Sequence, residues 1–195
     1  MKKYLLSLAI LAIVSTVAKA QFSLGVKGGV NVSKINSDNV ASSTITGYQF
    51  GGWARFGKGL YLQPELYLGS KGGHFDFQTQ NNTTTEGGQV RFTTLDVPVL
   101  VGEQFGVSSL NFRIMAGPIY SYVLNQSDNF STNVSNAYHD FGHYNKSTLG
   151  YQAGAGIDLG NISLDARYEG GLTKLNDNFG QRENLWHFSV GFKIF

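Results

Sequence analysis

The sequence predicts an all-β protein, an eight-stranded antiparallel transmembrane β-barrel with short periplasmic turns and longer extracellular loops. Three observations predict this fold: eight stretches alternate apolar and polar residues, the connections between them alternate in length, and an export signal precedes the first stretch. Successive side chains of a β-strand point to opposite faces, so each stretch forms a strand with one apolar and one polar face. An even number of strands, with short turns at one rim and long loops at the other, is typical of a membrane barrel.

The segment from Leu149 to Leu172 shows the pattern most clearly. Apolar residues occupy every second position from Leu149 to Leu159, and the alternation resumes at Ile162 after the dipeptide Gly160-Asn161. A two-residue connection of this kind joins two antiparallel strands in a β-hairpin. We therefore expect this segment to form the sixth and seventh strands, with Gly160-Asn161 as a periplasmic turn.

The other strands follow the same period of two. The eight predicted strands cover about residues 22–35, 44–56, 60–71, 90–101, 110–122, 149–159, 162–168 and 186–194. The longer polar connections at about 36–43, 76–89, 125–145 and 176–184 alternate with shorter ones at 57–59, 102–109 and 160–161. The last strand should pair with the first, because closure removes the exposed edges of the sheet.

Three places depart from regular alternation. Val90 and Phe92 are out of phase with the later half of the fourth strand, which predicts a β-bulge near Thr93-Thr94. Pro64 falls inside the third strand and predicts a local bulge there, since proline normally lies at an edge or a bulge. Phe195 is out of phase with the apolar residues before it, which predicts an irregular end to the last strand.

Residues 1–20 have the features of a cleavable signal peptide. Lys2 and Lys3 form a positive segment, Tyr4 to Val17 is mostly apolar, and Ala18-Lys19-Ala20 is a small-x-small cleavage site. The apolar run is shorter than the roughly 20 residues that a bilayer-spanning helix needs. We expect cleavage after Ala20, export of the chain, and a barrel domain over residues 21–195.

Composition excludes several classes of function. Lys2, Lys3 and Lys19 belong to the signal, which leaves 12 basic against 13 acidic residues in the mature chain. Nothing in this balance suggests a nucleic-acid partner. The chain has no cysteine, which excludes disulfides, thiolate metal sites and a cysteine-linked lipid anchor. We expect no metal or other cofactor.

Eleven charged residues of the predicted strands fall on the less apolar face. Six are basic and five acidic: Lys27, Arg55, Lys71, Arg113, Arg167, Lys193, Glu65, Asp96, Asp158, Asp165 and Glu169. In a secreted, lipocalin-like barrel this face would meet water. Bulky apolar residues on the other face, glycines among the charges, and Tyr and Trp near the strand ends favour the inverse, with the charges in the lumen.

This predicted charge network has two interpretations. A nearly balanced set of buried charges can pair and fill the lumen as a structural plug of salt bridges, because eight strands leave little interior space. The alternative is a narrow polar conduit, or a gate that opens when pairs exchange partners.

Two histidine motifs are candidates for catalytic or metal sites. His187-Phe188-Ser189 resembles the His-x-Ser pair of a barrel lipid A deacylase, but the alternation places both side chains in the lumen, which favours a hydrogen-bonding role. His139 and His143 lie four residues apart in a long polar loop without a third ligand, which does not favour a metal site. We expect no enzymatic activity.

Several motifs in sequence order carry a family resemblance. They are the segments 25–31 (GVKGGVN), 62–72 (LQPELYLGSKG), 95–101 (LDVPVLV), 115–118 (MAGP) and 165–173 (DARYEGGLT). Together they resemble the PorT/porin-family outer-membrane β-barrel domain of Bacteroidetes-type bacteria, over essentially the whole mature chain. The resemblance implies an eight-stranded outer-membrane barrel. It implies no substrate.

These inferences predict a monomeric outer-membrane barrel with a structural or surface-interaction role. Its expected partners are outer-membrane lipid and other envelope proteins that contact the extracellular loops. The alternatives are a narrow pore for small polar solutes or ions, a lipid-modifying enzyme, and a barrel that assembles with a secretion or gliding apparatus, the last implied by the PorT resemblance alone.

Overall fold

A computed structural model describes residues 22–36, 41–78, 85–107, 109–129, 145–173 and 182–195. The strand segments are β1 Phe22–Asn36, β2 Ala41–Ser43, β3 Ile45–Phe56, β4 Leu60–Gln78, β5 Thr85–Val107, β6 Leu110–Asn129, β7 Ser147–Leu159, β8 Ile162–Gly171 and β9 Arg182–Lys193. Thr44 separates β2 from β3, and both pair with β4, so together they make one barrel strand. No helix in the described part of the chain is long and apolar enough to cross a membrane.

The strands form a closed antiparallel barrel of eight. Each strand pairs with its neighbour in sequence, and β1 pairs with both β3 and β9. The β1–β9 ladder runs from Gly25 opposite Lys193 to Asn36 opposite Arg182. The predicted fold and the predicted pairing of the first and last strands are confirmed.

The outer surface of the barrel is apolar and the lumen is polar. Val30 and Phe50 on the outside keep 48% and 65% of their surface exposed, whereas Lys27 in the lumen keeps 4%. A soluble barrel would show the opposite arrangement, because its apolar side chains would be removed from water. The outer face is therefore a surface suited to lipid.

Aromatic rings border this apolar face at both ends. Near the long loops, the ring of Tyr168 lies tilted against Tyr151 and edge-on to Trp186, at ring-centroid distances of 6.4 and 5.3 Å. At the end with the short turns, Phe22 lies 5.1 Å from Phe56. Tyr and Trp favour the interface between membrane and water, where the ring is apolar and its polar atom stays hydrated.

Three strands are longer than predicted. β4, β5 and β6 have 19, 23 and 20 residues, against 13 and 10 in β7 and β8. Parts of the predicted loops at 76–89, 102–109 and 125–145 are therefore strand. A membrane-spanning strand needs about 9–11 residues. Residues 102–107 of β5 lie at the short-turn end, and the rest of the surplus length of these three strands extends past the membrane at the other end.

The predicted irregularities have different outcomes. The β5–β6 register shifts between Thr93 and Thr94, but the additional residue is Leu124 of β6, since Asn125 and Val123 are the two partners. Alternation along β5 itself is unbroken, so Val90 and Phe92 point into the lumen, where they are fully buried.

The predicted bulge at Pro64 is wrong. Pro64 lies opposite Val99, and Tyr67 lies opposite Asp96 in the same register. The β4 ladder thus continues through the proline without an additional residue.

The last strand does end irregularly, as expected. The amides of Ile194 and Phe195 both donate to the carbonyl oxygen of Leu24, at 2.8 and 3.1 Å. The ring of Phe195 lies 6.5 Å from that of Phe22, on the outer face. This irregularity returns the final aromatic residue to the lipid side.

Candidate functional site: the charged lumen

The half of the lumen nearer the short turns holds a closed cycle of ion pairs and hydrogen bonds, which we call the lumen ring. Its members are Glu65, Arg167, Asp165, Arg113, Asp158, Arg55 and Gln63. They come from β3, β4, β6, β7 and β8, so the ring crosses the whole barrel section. The donor–acceptor distances around it lie between 2.6 and 2.9 Å.

Glu65 is the most heavily shared carboxylate of the ring. Its Oε1 accepts from Arg167 Nη1 at 2.8 Å and from Gln63 Nε2 at 2.6 Å. Its Oε2 accepts from Lys27 Nζ at 2.6 Å, which attaches β1 to the ring. A buried charge is tolerated only when it is paired and hydrogen-bonded, and this carboxylate meets both conditions.

A second group, the His187 cluster, lies farther toward the long loops. It consists of Lys71, Asp96, Glu169, His187 and Gln152. Lys71 Nζ lies 2.7 Å from Glu169 Oε1 and 3.2 Å from Asp96 Oδ1. Glu169 Oε2 lies 2.8 Å from both His187 Nε2 and Gln152 Nε2.

Aromatic rings connect and line the charged groups. Tyr67 accepts a hydrogen bond from Gln152 on its hydroxyl group and lies beneath Lys27, whose Nζ is 4.1 Å from the ring centroid. Arg55 lies over Trp53 and Tyr61, at 4.8 and 5.0 Å. Cations over aromatic faces gain most when they are desolvated, as they are here.

The structure places ten of the eleven predicted network residues in these two groups or, for Lys27, directly on the ring. The ten comprise five basic and five acidic side chains, so their charges balance. The eleventh, Lys193, is half-buried at the rim on the short-turn side. Within the described part of the chain it joins none of the ion pairs.

Sequence reasoning missed the uncharged members of the site. Gln63 closes the lumen ring, and Gln152, Tyr67 and Asn31 tie His187 and Glu169 to their neighbours. Period-two alternation did put these residues in the lumen, but a search for charges passes over them. In the sequence, such residues can be recognised as polar or aromatic residues at lumen positions close to a charged residue.

The remaining space in the lumen is uneven. A cavity of about 510 Å³ opens at the short-turn end, whereas one of about 10 Å³ lies between Ser121, Thr148 and Glu169. The smaller one is no larger than the space that a single water molecule needs. Toward the long loops, Val90, Phe92 and Leu185 add buried apolar side chains to the lumen.

His187 and Ser189 both point into the lumen and are buried. His187 contacts Glu169 with one ring nitrogen and Asn31 Oδ1 with the other, at 2.8 and 2.9 Å. A lipid on the outer surface would meet the neighbouring Phe188. His139 and His143 lie outside the described residues, and those that are described include no group of three or more potential metal ligands.

Comparison with known proteins gives one family match. The chain matches the family model described as outer membrane protein beta-barrel domain over residues 16–177. No curated protein sequence matches it.

Solved structures share the fold. Ail, the attachment invasion locus protein of Yersinia pestis, has a TM-score of 0.51 at 12% identity, over 89% of this chain and 99% of that one. OprG from Pseudomonas aeruginosa has a TM-score of 0.53 at 11% identity, over 90% and 97%. The outer membrane enzyme PagL, at 0.47 and 14% identity over 83% and 98%, is also similar.

Proposed function

Because the chain belongs to the outer membrane protein beta-barrel domain family, we propose that it is an outer-membrane barrel with a closed lumen, and that it acts as a structural and surface-interaction protein. The observation that carries this proposal is the lumen ring, which links five strands across the interior. Every carboxylate of the lumen ring forms ion pairs with two cationic side chains, so no ring carboxylate is free to bind a solute that enters the lumen. The cavity of only about 10 Å³ on the long-loop side of the lumen ring also supports a closed lumen.

The closed lumen predicts that refolded protein inserted in planar bilayers gives no stable single-channel steps. Eight strands leave an interior that side chains can fill, and here paired charges fill it. A porin reconstituted in the same membranes is the positive control. Stable, uniform channels from the folded barrel would overturn the closed lumen and favour the narrow pore.

The surface role is supported by the long strands. β4, β5 and β6 extend roughly ten residues past the length that the membrane needs, on the side of the long loops. Strand ladders hold this extension together as far as Gln78 opposite Thr85 and Gln89 opposite Asn129. A rigid sheet of this kind can present loops to a partner in the envelope.

The proposed partner is another envelope protein, and the PorT-like interpretation makes a secretion or gliding apparatus one candidate. A photoreactive residue at Gln126, near the far end of β6, tests this contact in cells, and the same residue at Lys58 in a short turn is the control. Crosslinks from position 126 alone support the proposal. Absence of protein crosslinks from position 126 in cells with a full envelope opposes it.

The proposal also includes export with cleavage after Ala20, a monomeric barrel and no catalytic activity. Burial of His187 and Ser189 in the lumen supports the last point. A deletion strain should keep its lipid A and phospholipid profiles, and a changed profile that the wild-type gene restores would favour the lipid-modifying enzyme.

A further inference from the structure

The cavity at the short-turn end has the size of a ligand site. It measures about 510 Å³ and is lined by side chains that include Arg55, Lys58, Lys193, Trp53, Gln104 and Asn111. We call it the vestibule. Small-molecule sites commonly have volumes of about 300–1,000 Å³.

The vestibule has more positive than negative charge. Arg55, Lys58 and Lys193 line it, and Asp158 is the single carboxylate among its lining residues. Glu103 lies nearby in β5, but alternation places its side chain on the outer face, where it is exposed.

Asp158 cannot neutralise this excess. Its Oδ1 forms an ion pair with Arg113 Nη2 at 2.9 Å and accepts from Ser163 Oγ at 2.6 Å. Its Oδ2 accepts from Arg55 Nη1 at 2.9 Å. The ten paired charges of the interior are balanced without Lys193. Its ammonium group therefore remains available at the vestibule.

The guanidinium group of Arg55 has a hydrogen-bond donor available at the vestibule. Arg55 donates from Nε to Gln63 and from Nη1 to Asp158 and Gln104, while its Nη2 donates to none of the described residues. The ring of Trp53 lies against the backbone at Gly25, where a side chain would collide with it. The guanidinium of Arg55 is thus held between a fixed aromatic ring and the ion pairs, as a preorganised donor.

We propose that the vestibule binds a small anion that carries a carboxylate or phosphate group and enters from the short-turn side. Lys193, unpaired among the described residues, supplies the positive charge, Arg55 donates from Nη2, and Asn111 and Gln104 supply polar contacts. Lys58 attracts the anion at the rim. Carboxylate and phosphate oxygens accept strong, charge-assisted hydrogen bonds from guanidinium and ammonium groups. The site adds a ligand to the proposed closed barrel, and because it lies on one side of the lumen ring it does not require conduction.

Trp53 can report on binding directly. The chain has two tryptophans, and Trp186→Phe removes the one that faces lipid. The protein is held in a maltoside detergent, which carries no phosphate, and titrated with inorganic phosphate or with succinate against potassium chloride of equal ionic strength. We expect a saturable change in Trp53 emission with at least one of the two anions, and the one that saturates identifies phosphate or carboxylate as the ligand class.

Lysine variants decide whether the vestibule is the site. Lys193→Gln and Lys58→Gln should each raise the apparent dissociation constant, by about fivefold for the half-buried Lys193, and Lys193→Arg should keep most of the affinity. Lys146→Gln, at the opposite end of the barrel, is the matched control and should have no effect. Heat-modifiable gel mobility shows that each variant is folded. No saturable change with either anion, or equal effects of Lys193→Gln and Lys146→Gln, would overturn the proposal.

Discussion

At the scale of single residues, Glu65 determines how the interior charges are satisfied. One carboxylate serves Lys27 of β1, Arg167 of β8 and its own strand neighbour Gln63. Lys27 also lies over Tyr67, but an aromatic face does not replace a carboxylate for a cation that is almost completely buried. Loss of this one negative charge therefore leaves a buried positive charge without its counterion.

We expect Glu65→Gln to destabilise the folded barrel by about 3–5 kcal/mol, the usual cost of removing one partner from a buried ion pair. The free energy of unfolding in urea, measured in phospholipid vesicles by gel mobility, checks this. Glu103→Gln is the matched control because Glu103 is exposed at the outer rim. Equal stability of the two variants would mean that Lys27 and Arg167 find other partners.

Residue identities predicted the members of the network better than its connections. Alternation places Lys27, Glu65 and Arg167 in the lumen because each is a charged residue between two positions of the apolar face. Nothing in a period of two says that Glu65 lies between Lys27 and Arg167, 38 and 102 residues away. Which side chains meet in space depends on the register and the tilt of the strands, and these are determined by long-range strand pairing.

At the scale of one strand, β4 carries outward-facing leucines at several depths in the membrane. Leu60, Leu62, Leu66 and Leu68 point outward, from the short-turn rim to the middle of the apolar band. A charge on this face meets lipid at a depth that depends on its position along the strand. The same substitution at two positions thus measures the membrane profile.

We expect Leu66→Arg to cost about 2–4 kcal/mol and Leu60→Arg about 0–1 kcal/mol, since the cost of a lipid-facing arginine falls from the midplane to the interface. Unfolding in phospholipid vesicles followed by tryptophan fluorescence measures both. If the two variants were equally stable, Leu66 would not lie in the hydrocarbon region.

Strand existence and facing followed from the sequence, while strand ends did not. β4, β5 and β6 continue into polar segments such as 85–89, where alternation of apolar residues stops although the hydrogen-bonded ladder goes on. The alternation that identifies a strand in the sequence is missing from these segments, so only the hydrogen-bonded ladder shows that they are strand. The sequence predicts the bulge in the wrong strand because Val90 and Phe92 are apolar residues that point into the lumen, which is not polar along its whole length.

At the scale of the whole molecule, closure between β1 and β9 defines the barrel. Val30 of β1 lies opposite Phe188 of β9, and both side chains point outward. The chain has no cysteine of its own, so an introduced pair has no competing thiol.

We expect Val30→Cys with Phe188→Cys to form a disulfide on oxidation and to raise the stability toward urea, by about 2–4 kcal/mol, because the cross-link restricts a very long loop in the unfolded chain. Maleimide labelling of free thiols measures its formation, and a reductant should abolish the gain. Val30→Cys with Phe192→Cys is the control, since Phe192 lies opposite Val26 instead. Equally efficient oxidation of this control would show that the closing register is not fixed.

The β1–β9 ladder also has a consequence for biogenesis. β1 precedes all the other described strands in the chain and β9 follows them, so the seam between them can form only after the strands in between have been synthesised. Until then the nascent sheet has two open edges, which are templates for aggregation. Formation of this seam is therefore a late step of folding, limited by the slow search for a distant partner strand.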